Sequence, residues 1–112
     1  MNVVGNTVSN ISNLSLCKKR RPSGAGDYVE ITTTDGRRFL HSERLDILET
    51  VLPTTFIRTH RSHIVNMVYV SQLLVTEHSQ NVLVTCKQEH VPISRRRLQG
   101  VKSRLLNVMD TP

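Results

Sequence analysis

Aromatic residues are scarce in this chain of 112 residues: two Tyr, two Phe and no Trp, 4 % of the total. Apolar residues as a whole reach only 38 %. The core must therefore be small and built from Val, Leu and Ile, and the length suits a single domain. Cysteine is equally thin. Cys17 and Cys86 stand far apart, and the absence of Cys-x-x-Cys excludes a zinc ribbon and a thioredoxin-like redox site. No apolar run approaches the roughly 18 residues of a membrane span. From Met1 to Leu16 there is no early positive charge, and Asn and Ser break the apolar pairs, so this stretch does not read as a signal peptide. Without an export signal both thiols are expected reduced in the cytoplasm, with Cys86 packed inside an alternating strand. Acidic residues are outnumbered, nine against fifteen Lys and Arg, for a net charge of +6 and a pI of about 10.0. That balance points to a polyanionic partner: nucleic acid, an acidic membrane or an acidic protein.

Catalytic signatures are missing as well. There is no Gly-x-Ser-x-Gly, no phosphate-cradling glycine loop and no pair of carboxylates with obvious partners. Ser62 and His63 are neighbours in sequence, which does not make a triad. Asp27, Glu30 and Asp35 fall in a hairpin and are expected to be solvated. No enzyme activity and no cofactor are expected.

The periodicity is mostly that of strands. Residues 1–26 are rich in Asn and Ser and end in the run Lys18-Lys19-Arg20-Arg21-Pro22-Ser23-Gly24-Ala25-Gly26, which reads as a mobile loop or arm. Ile11, Leu14 and Leu16 could form one weak strand before it. From Tyr28 to Thr33 apolar and polar residues alternate, Asp35-Gly36 signals a turn, and Arg37 to His41 completes a β-hairpin. Ser42 is a candidate N-cap for a short helix carrying Leu45, Leu48 and Leu52, flanked by Ile47 and Val51 and stopped by Pro53. Strands are predicted at Phe56–Thr59, Ile64–Val65, Tyr69–Thr76, Val82–Cys86 and His90–Ile93, with a turn at His78–Asn81. Pro92 cannot donate to a ladder and places the last strand at an edge. Ser94 then caps a C-terminal helix with Leu98, Val101 and Leu105 on one face. Without internal repeats or a βαβ rhythm, the chain is not a Rossmann domain or a parallel barrel.

Two clusters carry chemistry. If Ser94 is a cap, Arg95, Arg96 and Arg97 fill the first turn of a helix, whose positive dipole end disfavours cations by some tenths of a kcal/mol each. Nothing in folding asks for this. A bound anion would relieve it through free N–H groups and guanidinium forks together, although charge runs are more often simply solvated. The second cluster is the centre of Phe56-Ile57-Arg58-Thr59-His60-Arg61-Ser62-His63-Ile64-Val65-Asn66, where apolar residues bracket an exposed basic loop. His60 and His63 could ligate a metal, but zinc needs three or four ligands and no Cys or acidic partner stands nearby in sequence; no metal is expected. A loop of this composition suits contacts to a nucleic-acid backbone and grooves. His60 itself is open between that role and a structural one.

The same run resembles the signature of the LytTR DNA-binding family, Phe-x-Arg-x-His-Arg-Ser-x-x-Val-Asn. The hairpin from Asp27-Tyr28-Val29 to Asp35-Gly36, the helix at Leu45-Asp46-Ile47-Leu48-Glu49 and the close Val91-Pro92-Ile93-Ser94-Arg95-Arg96 resemble other family motifs in the same order. The resemblance covers Asp27 to Leu106 and implies an elongated, mostly β fold of short antiparallel sheets with two short helices. It divides the chain into a divergent basic arm at 1–26, the DNA-binding module at 27–106 and a tail at 107–112. The output domains of response regulators are of this kind; no receiver domain precedes the module here, so a stand-alone binder or the end of a longer regulator is expected. The resemblance implies that Tyr28, Arg61 and Arg96 reach DNA bases or grooves, and that Arg58, Ser62 and Arg97 contact the backbone or support the loop, with Arg95 beside them. The partner implied is double-stranded DNA, bound as paired half-sites in direct repeat by a protein that is monomeric in solution. An RNA-binding or basic protein-interaction module is the alternative, disfavoured by the few aromatics available for base stacking.

Overall fold

The computed structural model describes residues 13–24, 26–75 and 80–110, the side chains of 107–110 excepted. Strands β1 (Asn13–Arg20), β2 (Asp27–Thr33) and β3 (Arg38–His41) are followed by helix α1 (Leu45–Val51). Then come β4 (Phe56–His60), β5 (His63–Asn66), a 3-10 turn at Met67–Tyr69, β6 (Val70–Leu74), β7 (Asn81–Thr85), β8 (His90–Ile93) and helix α2 (Arg95–Asp110). A five-stranded sheet runs β3-β2-β1-β5-β4 and a three-stranded sheet β6-β7-β8. Both are antiparallel throughout. The mostly β architecture with two helices is the expected one, within 39 × 34 × 24 Å. Pro92 does lie on an edge strand.

Each face of the larger sheet buries its own core. On one face Leu16, Val29, Ile31, Phe56 and Ile64 pack against Leu45 and Leu48 of α1. On the other, Val65 and Met67 meet Leu83, Val91 and Ile93 of the smaller sheet and Val101 of α2. Ile64 and Val65 are consecutive and point to opposite faces, so β5 is covered on both sides, as is β1 at Leu14, Ser15 and Leu16. Leu16 is fully buried, a burial that contributes about 1.5–3 kcal/mol. The sheets are also tied by Ser15 Oγ, which donates to Glu89 Oε1 at 2.7 Å.

Several expectations are corrected. Lys18, Lys19 and Arg20 are not loop residues; they continue β1, because the ladder to β2 runs on through Lys18↔Val29, Lys19↔Tyr28 and Arg20↔Asp27. The weak strand is therefore the centre of the larger sheet. Ile11 lies outside the described residues. Ser42 does not cap α1; Arg44 holds that position, with no side-chain cap bond. Ile47 and Val51 are exposed, since a helix of this length covers the sheet with one narrow stripe. Phe39 is 39 % exposed on edge strand β3, whereas Phe56 is buried. Tyr69 belongs to the 3-10 turn rather than to β6. Cys86 is exposed in the turn after β7 rather than packed. Thr76 and the turn at His78 and Ser79 lie outside the described residues, and Asn81 opens β7.

Candidate nucleic-acid interface

Antiparallel pairing brings two turns to one end of the larger sheet. β1 ends and β2 begins there, and so do β4 and β5. Because β1 also pairs with β5, with Cys17 opposite His63, the turns are side by side. The Lys18 N–H donates to the Ser62 carbonyl at 2.8 Å. An open cleft results, with Lys18, Lys19 and Arg20 on one wall and His60, Arg61 and Ser62 on the other. The Ser94 N–H donates to the Thr59 carbonyl at 2.9 Å, which draws the first turn of α2 to the end of β4. Three basic segments far apart in sequence thus share one end of the fold.

The expected site residues separate into two groups. Arg61, Arg95, Arg96 and Arg97 are exposed, and among the described residues none has a carboxylate within ion-pair distance. Arg58 is different. Only 12 % of its side chain is exposed, and Nη1 lies 3.0 Å from Glu49 Oε1. Its Nε donates to the His60 carbonyl at 3.0 Å and its Nη2 to the Arg61 carbonyl. The guanidinium holds the turn from within. Tyr28 is half-buried opposite Lys19, with the Arg21 guanidinium 5.2 Å from its ring centroid. Among the described residues Lys18 is the one basic residue of the cleft with a carboxylate in ion-pair reach, Asp27 at 3.4 Å.

Ser62 is the hub of a polar network. Its Oγ lies 2.9 Å from His60 Nδ1 and 2.8 Å from His63 Nδ1. Its backbone N–H donates to His60 Nδ1 at 3.2 Å. The far nitrogen of His63, Nε2, is 3.2 Å from Cys17 Sγ. Burial, then His60 and Lys19, push the His63 pKa down to about 4. Burial and the charges of Arg61, Arg58 and Arg97 lower that of His60. Burial raises that of the Cys17 thiol, so it stays protonated.

Ser94 does not act as the expected side-chain cap. Its carbonyl accepts from the Arg97 N–H at 3.1 Å, while its Oγ is buried with no partner among the described residues, its backbone N–H being used on β4. Among the described residues no group of three or more His, Cys, Asp or Glu is placed to hold a metal ion. No helix among them is long and apolar enough to cross a membrane.

Sequence reasoning missed the wall formed by Lys18, Lys19 and Arg20, the Glu49 partner of Arg58 and the contact of Cys17 with His63. Only the first left a signal, the alternation of Leu14 and Leu16 running straight into the basic residues.

The profile of the LytTr DNA-binding domain matches residues 10–106. The chain belongs to the LytTR family. Two curated relatives from Paraburkholderia xenovorans strain LB400 support this. The heme-containing CO-sensing transcriptional regulator RcoM 2 is 37 % identical over 87 residues, covering 76 % of this chain and 32 % of the relative. RcoM 1, named in the same words, is 33 % identical over 86 residues, with the same coverages. The LytTR chain thus spans about a third of the length of the curated relatives it matches. A solved LytTr DNA-binding domain of a methyl-accepting/DNA response regulator from Bacillus cereus superposes with a TM-score of 0.70 at 26 % identity, covering 85 % of this chain and 81 % of that one. The LytTR match begins at residue 10, ahead of β1, in keeping with the central place of that strand.

Proposed function

We propose that this LytTR domain is a sequence-specific reader of double-stranded DNA that regulates transcription in the cytoplasm and performs no catalysis. The observation that carries the reading is the convergence of Lys18–Arg20, the Arg61 turn and Arg95–Arg97 on one end of the fold, with hardly a counter-charge. Arg96 reads a guanine edge in the major groove through its two-pronged guanidinium. Arg61 enters a groove from the β4–β5 turn. Arg95, Arg97, Lys19 and Arg20 contact the backbone and fix the register. Tyr28 reaches a base from the start of β2, and Ser62, whose N–H and hydroxyl are engaged with the neighbouring histidines, orders the turn. Arg58 supports the turn rather than touching DNA, because its donors are already engaged.

The longest dimension, 39 Å, is close to one turn of duplex, about 34 Å. One module therefore covers about one turn from one side, and two copies on direct-repeat half-sites extend the recognised sequence. A mobility-shift competition tests the reading. A selected duplex should displace labelled target far better than random duplex, single strands or RNA. Equal competition by RNA favours an RNA-binding module, and equal competition by random duplex removes the sequence specificity.

A further inference from the structure

The LytTR signature in the β4–β5 turn contains a histidine whose role neither its exposure nor its motif decides. The hydrogen-bond directions around it do. We infer that His60 is a further DNA-contacting residue, presenting one fixed donor, its Nε2–H, to an acceptor atom on duplex DNA, with Ser62, His63 and Cys17 as the positioning residues that set this tautomer. The inference rests on the proposed reading of duplex DNA.

A backbone N–H can only donate. The Ser62 N–H is 3.2 Å from His60 Nδ1, so that nitrogen carries a lone pair. The Ser62 hydroxyl, 2.9 Å from the same atom, adds its single proton to the same acceptor. Having given that proton away, Ser62 Oγ can only accept from His63 Nδ1 at 2.8 Å, which makes His63 the Nδ1–H tautomer. His63 Nε2 is then a bare acceptor, and the Cys17 S–H, 3.2 Å away, donates to it. Every group is satisfied in one direction, from β1 through β5 to the end of β4. The reverse direction sets the Ser62 oxygen lone pairs against that of His60 Nδ1 and aims His63 Nε2–H at sulfur, a weak acceptor.

The scheme needs neutral imidazoles and a protonated thiol. Burial supplies both, and the surrounding charges add to it: Arg58, Arg61 and Arg97 at His60, Lys19 and His60 at His63, and Glu30 and Glu89 at the half-buried Cys17, where Lys19 opposes them. Among the described residues His60 Nε2–H has no hydrogen-bond partner, and His60 lines the cleft beside Arg61. A neutral ring with a lone outward donor suits acceptors only: a phosphate oxygen, purine N7, guanine O6 or thymine O4. It rejects the amino groups of adenine and cytosine.

The test has two parts on the full chain. Long-range proton–nitrogen correlation spectra of the free protein should report His60 as the Nε2–H tautomer and His63 as the Nδ1–H tautomer. Ser62→Ala keeps the backbone N–H on His60 but removes the acceptor for His63 Nδ1–H, so it should leave His60 as it is and make His63 a mixture, and Ser62→Thr should restore His63; Cys17→Ser should preserve the His63 tautomer and Cys17→Val disturb it. An Nδ1–H or averaged His60 in the wild type overturns the inference without any DNA in the tube. On duplex, His60→Leu should lose about tenfold in affinity, the size of one hydrogen bond, and His60→Gln, which keeps an N–H at that reach, should recover most of it. Equal loss on target and random duplex assigns the acceptor to a phosphate, and loss on target alone assigns it to a base edge. Wild-type affinity in His60→Leu, alongside impaired binding by Arg61→Ala, overturns the inference and leaves the DNA reading standing. If the wild type itself binds no duplex, the reading falls and the inference with it.

Discussion

Arg58 and Glu49 are joined at 3.0 Å across the face that α1 covers, a contact between strand β4 and the helix that precedes it. The other donors of the same guanidinium hold the carbonyls of His60 and Arg61. One side chain therefore couples the position of α1 to the shape of the turn that carries Arg61. Arg61 and Arg58 look alike in sequence, and the structure gives them opposite surroundings, one exposed and the other enclosed by its acceptors.

That difference is measurable. Arg58→Ala leaves two carbonyls and a carboxylate without their donor and should lower stability by about 1–3 kcal/mol, with DNA binding reduced as the turn loosens. Arg61→Ala should melt within a degree or so of the wild type and still bind poorly. Denaturant titration and mobility shift on both variants check this. A large stability loss in Arg61→Ala would make it structural.

Arg96 stands exposed in the first turn of α2. Arg96→Ala should lose about 1–3 kcal/mol on the preferred duplex and far less on random duplex. Equal losses on both would identify Arg96 as a phosphate contact.

The basic end of β1 gives a salt signature. Replacing Lys19 and Arg20 by Gln should make the log–log salt dependence of DNA affinity shallower by about 2, close to one counterion per charge removed. Deleting residues 1–20 is a different experiment, because it removes the central strand of the larger sheet. The truncated chain should fail to fold, as read by circular dichroism; a cooperative melt would show that β1 is dispensable.

His63 links stability to pH. Its pKa in the fold is about 4, against an ordinary 6.5. As pH falls the unfolded chain takes up this proton first, so the stability that His63 contributes is complete above about 6.5 and declines down to about 4. The lowered pKa of His60 acts in the same direction. Thermal melts should therefore fall in the upper part of this window, before Asp35 and Asp46, both held below their ordinary 3.8, begin to titrate. His63→Gln should flatten that part of the curve. An equal decline in the variant would place the linkage elsewhere.

The stoichiometry has its own test. The protein should scatter light as a monomer at micromolar concentration and occupy direct-repeat half-sites in pairs. Inserting about five base pairs, half a helical turn, should put the copies on opposite faces and abolish any cooperativity. A stable dimer without DNA contradicts the first statement, and indifference to the insertion contradicts the second.

Local pattern was enough for much of this molecule. Alternation at Tyr28–Thr33, the Asp35-Gly36 turn with Gly36 at a φ of 87°, the Leu45 and Leu48 spacing and Pro92 at an edge each follow from the chemistry of a few neighbouring residues. The motif order around Phe56–Asn66 carried the family, and the charge balance carried the class of partner. Pairing decided the rest. Whether Lys18–Arg20 is a loose arm or the end of a central strand depends on pairing with β2 and with the distant β5, and on burial of Leu14, Ser15 and Leu16. Whether Arg58 faces DNA or the turn depends on Glu49 of another element. The network of His60, Ser62 and His63 ends on Cys17, 3.2 Å from His63 because β1 lies against β5. Such contacts join residues with no local signal in common, and it is the burial of a two-faced sheet that holds them in register.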